Sequence, residues 1–445
     1  MDTTNRATAP GIRTRVARAV AAATLAAVAL SATACKLDLD NPNAPTREEI
    51  VTNADGIIAV APGMQGQFAQ TIDDYVVTNS LVTDEWGTRS LALISYVSLL
   101  TGENFDPGYD IVLTPFSRSY QVILSANTIL EGTQNVSLGV ATTAGMNALA
   151  RLFKAMALGM LAQQYQRVPV EITAAGGVPR ERAEVLDTVL VLLERARADI
   201  ANVSDASLAE FRSLALAPGI DLRNTIDAML ARYYLIDGQY AQAIAAADRV
   251  NLGVLSELRY PSPTRNPIEN LAFQLRYVGG LQSFVNQAEA GDRRPAYWLQ
   301  TTATTLPANP PDTVLRPLRK FSTPNEAFPL YLPDEMKLIK AEALTRQGPT
   351  NYAAAATLIN EVRTQTTSAV DEPVAGLPAI PLTSLATEAQ LLDQIAYERR
   401  YELYMQGLRW EDTRRLGTQR TTTPTFTFLP LPVVECQANP EQPCG

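Results

Sequence analysis

Apolar residues recur along most of this chain at spacings of three and four, the mark of helices with one buried face. "YQVILSANTILEG" (120–132), "MNALARLFKAMALGMLAQQYQ" (146–166), "AEVLDTVLVLLERARADIANV" (183–203) and "RNTIDAMLARYYLID" (223–237) all carry the pattern. Strand-like alternation is rare. "TTTPTFTFLPLPVV" (421–434) is the clearest case, and its prolines confine it to an edge.

Two segments share one plan. "YLIDGQYAQAIAAADRV" passes from a helix through Gly238 and Tyr240 to Ala243 and Ala247, and "EALTRQGPTNYAAAATLINEVR" repeats it with Gly348, Tyr352 and Ala355. A glycine ends the first helix, an aromatic fills the corner, and small alanines let two helices approach closely. This is the plan of a tetratricopeptide-type hairpin and equally of an ordinary αα-hairpin. The copies stand too far apart for a regular array of about 34-residue repeats.

Residues 251–335 break the helical pattern. They hold 11 of the 29 prolines, including the runs "YPSPTRNP" and "TTLPANPPDT", which end helices. Long irregular excursions from a helical scaffold often carry binding. This stretch therefore reads as an insert packed on the scaffold.

The first 34 residues read as an export signal. Arg6, Arg13, Arg15 and Arg18 precede an apolar run from Ala19 to Leu30, too short for the roughly 20 residues of a membrane-spanning helix. "SATAC" then places small residues before Cys35, which resembles a bacterial lipobox, with Ala32 where a larger aliphatic is usual. Lipidation of Cys35 and plain cleavage before an incidental cysteine both fit. Residues 35–47 are polar and proline-containing, as a membrane tether is. No later stretch offers 18 consecutive apolar residues.

Losing residues 1–34 takes the net charge from −9 to about −12, which argues against nucleic acid as a partner. The chain has no histidine, so Ser-His-Asp triads, Cys-His pairs and histidine-ligated zinc are excluded. Cys436 and Cys444 read as a disulfide closing a small tail loop. No metal and no cofactor is expected.

Several pieces, taken in order, resemble one family. After Cys35 come "LDLDNPNAPT", "TDEW" (83–86), the helix containing Asn127, and "ALARLFKAMALGMLAQQYQRVPV". "GDRRPAYW" (291–298) follows, with Arg293 where the family usually has proline. "LYLPDEMKLIKAEAL", "LINEVR" with Asn360 and Arg363, "ERRYELYMQGLRWEDTRR" and "LPLPVVECQANP" complete the series. Together they resemble the SusD/RagB family of outer-membrane nutrient-binding lipoproteins.

The resemblance implies a mostly α fold, with tetratricopeptide-like helical hairpins in an α-α superhelix and an irregular, loop-rich ligand-binding half. It implies one domain over 48–445, with the insert at about 251–335. It also implies a non-enzymatic protein, lipid-anchored to the outer membrane and exposed at the cell surface. Such a protein captures an oligosaccharide or peptide for a SusC-like TonB-dependent transporter.

Sugar rings pack their C–H faces on aromatic planes while polar side chains bond the hydroxyls. Trp86, among Asp84, Glu85 and Arg89, is one candidate platform; Tyr297 and Trp298, just after Asp292, Arg293 and Arg294, form another. Core burial is the competing reading for each tryptophan. A protein-binding envelope scaffold is one rival function. A surface glycoside hydrolase is another, with Asp84 and Glu85, or Glu398 and Glu402, as paired carboxylates.

"YERRYELYMQGLRWEDTRR" (397–415) interleaves five arginines with four acids, which reads as a structural clamp. Tyr397, Tyr401, Tyr404, Met405 and Leu408 make an apolar stripe there, and Trp410 is expected in the core. Arg399–Glu402, Glu411–Arg414 and Glu411–Arg415 have the spacing of helical ion pairs.

Overall fold

Helices form where the periodicity places them. The computed structural model describes residues 46–172, 176–302, 305–417 and 427–438. The export signal, Cys35, the tether as far as residue 45 and the Cys436–Cys444 pairing lie outside the described residues.

Among the described residues, the helices that build the scaffold are α1 Ala54–Ala69, α2 Ile72–Val82, α3 Ile94–Thr101, α4 Asp110–Asn135, α5 Val140–Gln164, α6 Arg182–Asp199, α7 Leu222–Ile236, α8 Tyr240–Ala247, α9 Pro333–Arg346, α10 Tyr352–Thr364 and α11 Glu388–Glu402. A twelfth, α12 Arg409–Leu416, follows the turn at Gly407. Their starts are chemically marked. Asp221 accepts from Asn224 N at 2.9 Å to cap α7, and the Glu181/Glu184 and Thr387/Gln390 capping boxes open α6 and α11.

α4, α5 and α6 pack side by side around an apolar centre that includes Val122, Leu152 and Leu193. Close packing explains Gly159: a Cβ there would lie 2.0 Å from the Tyr233 hydroxyl of α7. The two look-alike hairpins, α7–α8 and α9–α10, turn at Gly238 (φ 78°) and Gly348 (φ 108°). Ala243, Ala247 and Ala355 are buried, and α8 packs on α9. Distant in sequence, the hairpins are neighbours in space, which is tetratricopeptide-like stacking.

The insert is built from short pieces. The short strands include, in chain order, β1 (Trp86–Thr88), β2 (Arg167–Pro169), β3 (Pro179–Glu181), β4 (Glu257–Leu258), β5 (Val278–Leu281) and β6 (Leu315–Arg316), and β5 pairs antiparallel with β1 on one side and β6 on the other. This sheet ties an early loop to the proline-rich stretch. Of the alternating stretch 421–434, residues 421–426 lie outside the described residues; in the rest Leu429 N donates to Gln164 O at 2.8 Å, and Val433–Ala438 is helical. The prolines remove the amide donors that a longer ladder needs. Among the described residues no helix is long and apolar enough to cross a membrane.

The arginine-rich stretch is a clamp with different partners from those its spacing suggests. Arg399 pairs with Asp412 at 2.8 Å, not with Glu402. Arg415 holds Glu342 through two bonds of 2.6 and 2.8 Å and Asp412 at 2.9 Å, not Glu411. Glu411 does meet Arg414, at 3.0 Å, and also Arg182 at 2.8 Å. The cause is the turn between α11 and α12, with Met405 and Gly407 at φ 60° and 71°. It folds α12 back so that Asp412 reaches Arg399. The Tyr401, Tyr404, Met405 and Leu408 stripe and Trp410 are buried, and Tyr397 is half-buried.

Candidate binding surface

β1 brings the first set of candidate residues to the sheet. Trp86 lies opposite Gly280 and is fully buried, with Glu85 beside it at 1% exposure. Glu85 accepts from Ser80 Oγ at 3.0 Å, and burial, which outweighs the pull of Arg409, pushes its carboxyl up to about 7. Trp298 is equally buried and donates its indole N–H to Tyr401 O at 2.9 Å. Neither indole offers a face to a ligand. Glu85 and Trp298 both converge on buried Tyr404, whose hydroxyl donates to Glu85 O at 2.9 Å. These side chains are core because the insert closes over them, which corrects their reading as exposed platforms.

Asp84, at φ 56°, is half-buried at the turn before β1. Tyr297 is half-buried, with its hydroxyl donating to Asp371 Oδ1 at 3.1 Å and Lys320 Nζ 5.7 Å from its ring centre. Both keep some surface. Tyr297 lies in the insert and Arg89 on the early loop after β1, and no hydrogen bond or ring contact joins the two among the described residues.

Arg89 leads to a surface the sequence reading passed over. Its N–H donates to Tyr277 O at 2.8 Å, continuing the β1–β5 pairing, and its Nη1 donates to Ala272 O at 3.0 Å. Tyr277 in turn meets Tyr96 of α3, with ring centres 5.5 Å apart and planes at 57°. Both tyrosines are half-buried, and Leu91, Leu93 and Leu275 on the adjoining loops and Ile94 at the start of α3 are exposed. The combination is an aromatic pair with a cationic neighbour and an apolar rim. Only the register that sets Thr88 against Val278 assembles it.

Asp73, Asp74 and Arg118 complete the electrostatics around Tyr96. Arg118 lies 2.8 Å from Asp74 and 3.6 Å from Asp73. Burial raises Asp73 to about 6, against the pull of Arg118, and burial with the Asp73 charge raises Asp74 to about 8. At neutral pH the two carboxyls thus hold about one negative charge between them, which Arg118 balances. Burial, followed by these two carboxyls, also raises Tyr96, so its phenol stays a neutral donor.

A cavity of about 910 Å³ lies between α1, residues 212–218 and residues 258–264. Much of its polar lining is already committed. Gln65 bonds Ala61 O, Ala215 O and Ala217 N; Tyr260 donates to Ala69 O, and Arg212 pairs with Asp205. It has room for a ligand, and Gln70 Nε2 in its lining is a buried donor without a partner among the described residues.

Residues 321–431 match the SusD family model. The fold matches a SusD superfamily protein from Bacteroides vulgatus with TM-score 0.67 and 15% identity, covering 87% of this chain and 98% of that one. A laminarin-binding SusD-like protein matches at TM-score 0.64 and 16% identity over 85% and 97% of the two chains. The surface glycan-binding protein A of Bacteroides uniformis matches at 0.64 and 14% over 86% and 98%. No curated relative matches the chain. The chain thus carries a segment that matches the SusD family, residues 321–431, on a SusD-like fold.

Proteins of the SusD family are non-catalytic, and the rival carboxylate pairs fit that. Glu398 and Glu402 are fully buried against Arg294, at 2.6 and 3.5 Å, with no cleft between them for a scissile bond. Glu85 faces the core. Asp334, Glu372 and Glu402 bring oxygens within 4.8 Å of one another, the spacing of a metal site. Yet Lys337 Nζ already lies 2.6 Å from Asp334, and Ser368 and Gln365 bond Glu372. Burial, then Asp334, raises Glu372 to about 7. Lys337 beside Asp334 and Arg294 beside Glu402, at 3.5 Å, already supply positive charge to this trio.

Proposed function

We propose that this SusD-family chain is a cell-surface lipoprotein that binds an oligosaccharide and presents it to a SusC-like TonB-dependent transporter. The observation that carries the reading is the Tyr96–Tyr277 pair beside Arg89, held by the β1–β5 register on a SusD fold. The likeness to a laminarin-binding protein and a surface glycan-binding protein favours a sugar over a peptide. Of the residues expected from sequence, Arg89 lies at this surface. Asp84, Glu85 and Trp86 lead into the strand that carries it, and Tyr297 with Trp298 lies elsewhere in the insert. Lipidation at Cys35 and the 35–47 tether would keep the domain at the membrane beside the transporter.

Binding of soluble oligosaccharides by calorimetry or affinity electrophoresis tests the site. Tyr96→Ala and Tyr277→Ala are each expected to weaken binding about tenfold, since one aromatic contact with its buried area amounts to about 1.4 kcal/mol. Leu214→Trp, which fills the mouth of the large cavity, is expected to leave binding intact. The reverse pattern would place the ligand in the cavity. Co-purification with a TonB-dependent barrel from solubilised outer membrane tests the partner, and mass spectrometry of the mature N-terminus tests the anchor.

A further inference from the structure

We propose that the oligosaccharide taken by this surface carries carboxylates, as uronic acid units do; this rests on the Tyr96–Tyr277 reading. Arg89 and Arg276 carry the argument. Arg89 N bonds Tyr277 O, and Arg276 precedes Tyr277 in the chain, so both guanidiniums leave the backbone beside the aromatic pair.

Neither has a carboxylate within salt-bridge distance among the described residues. The ions Arg118, Arg232, Arg294, Arg363, Arg399 and Arg415 all have one. In a chain where 46 acids face 37 bases, two adjacent unneutralised cations need a reason. Partial burial, with the Arg276 charge second, holds Arg89 below the usual arginine range, so the two like charges stand in each other's field. The Asp73–Asp74–Arg118 group is about balanced at neutral pH, and the surface is left positive.

Backbone conformation adds an independent sign. Arg276 sits at φ 61°, a left-handed conformation that glycine or asparagine would adopt at lower cost. Strain kept at an exposed residue points to a use for that side chain. A guanidinium fork grips a carboxylate through two parallel hydrogen bonds, while the tyrosine faces hold the ring that bears it. A neutral glucan has no group that repays assembling these two charges.

The test uses the purified mature protein with oligogalacturonate and alginate oligosaccharides, and neutral xylo- and gluco-oligosaccharides of equal length as controls. Uronate binding is expected to exceed neutral binding at least about tenfold, which one charge-assisted bidentate contact supplies. Binding should weaken as salt is added. Arg276→Ala should remove most of this preference and Arg276→Lys should restore part of it, with unchanged melting temperatures.

Neutral sugars that bind through Tyr96 and Tyr277 but ignore Arg276→Ala would overturn the charge proposal and keep the site. Sugar binding insensitive to both the tyrosine and the arginine substitutions would overturn the site itself. Equal competition by poly-glutamate, or no uronate binding, would also overturn the proposal.

Discussion

Arg294 offers the sharpest test of how this fold is held together. Its side chain is fully buried and reaches Asp292 at 2.8 Å, Glu398 at 2.6 Å and Glu402 at 3.5 Å, with Tyr401 5.6 Å away by ring centre. Glu398 has a second cation in Arg363, at 3.2 Å, but Asp292 and Glu402 have no other guanidinium among the described residues. Arg294→Met keeps the length and apolar stem while stranding two buried carboxylates. Removing one partner of a buried pair costs about 3–5 kcal/mol, and with two acids stranded the loss should fall in that range.

The pH dependence has a definite sign. A stranded carboxyl has a folded pKa above its unfolded value of about 4, so its protonation favours the folded state. That stabilisation is complete below the unfolded value and lost as pH rises through the folded one. The deficit of Arg294→Met should therefore be largest near pH 8 and shrink toward about pH 5. Guanidinium titration at both pH values measures it, with Arg294→Lys as a partial rescue of charge without the fork. A deficit under about 1 kcal/mol at unchanged slope, or one that ignores pH, would refute the reasoning.

Three further outcomes follow from particular side chains. Glu85, raised to about 7 by burial, loses stability as pH rises from its unfolded value through 7; Glu85→Gln should raise thermal stability by about 1–3 kcal/mol near pH 8 and hardly at all near pH 5. Gly407→Ala and Gly417→Ala share φ 71°, but only at Gly407 would a Cβ meet Tyr75, at 2.3 Å. Gly417→Ala should cost about 1 kcal/mol of backbone strain and Gly407→Ala about 1–3 kcal/mol more, and equal losses would deny the packing. Trp298→Phe should lower stability yet leave the sugar affinity of the folded fraction unchanged, because the indole faces Tyr401 O and not solvent.

The helices were legible because their information is local. Three- and four-residue spacing, the caps at Asp221 and Thr387 and the glycines at 238 and 348 act within a few residues of themselves. The clamp at 397–415 was half legible. Interleaved acids and arginines announce pairing, but partners follow from a turn at Gly407 that the spacing rule does not contain. The site was least legible, and the reason is topological. Trp86 and Trp298 stood in polar stretches, as exposed residues do, yet those stretches are polar where the insert folds over the indoles.

Tyr96 and Tyr277 are ordinary tyrosines until β1 pairs with β5 across nearly the whole N-terminal half. The register Thr88–Val278 then puts Arg89 N on Tyr277 O and brings the α3 tyrosine alongside. A one-residue slip in that pairing would turn the side chains of β5 to the opposite face and separate the group. The binding surface is thus encoded less in the identity of its aromatics than in the Gly87–Gly279 and Trp86–Gly280 pairs beneath it. There the missing side chains on β5 leave room for Leu306 and Leu299, so that the insert can lie flat on the scaffold.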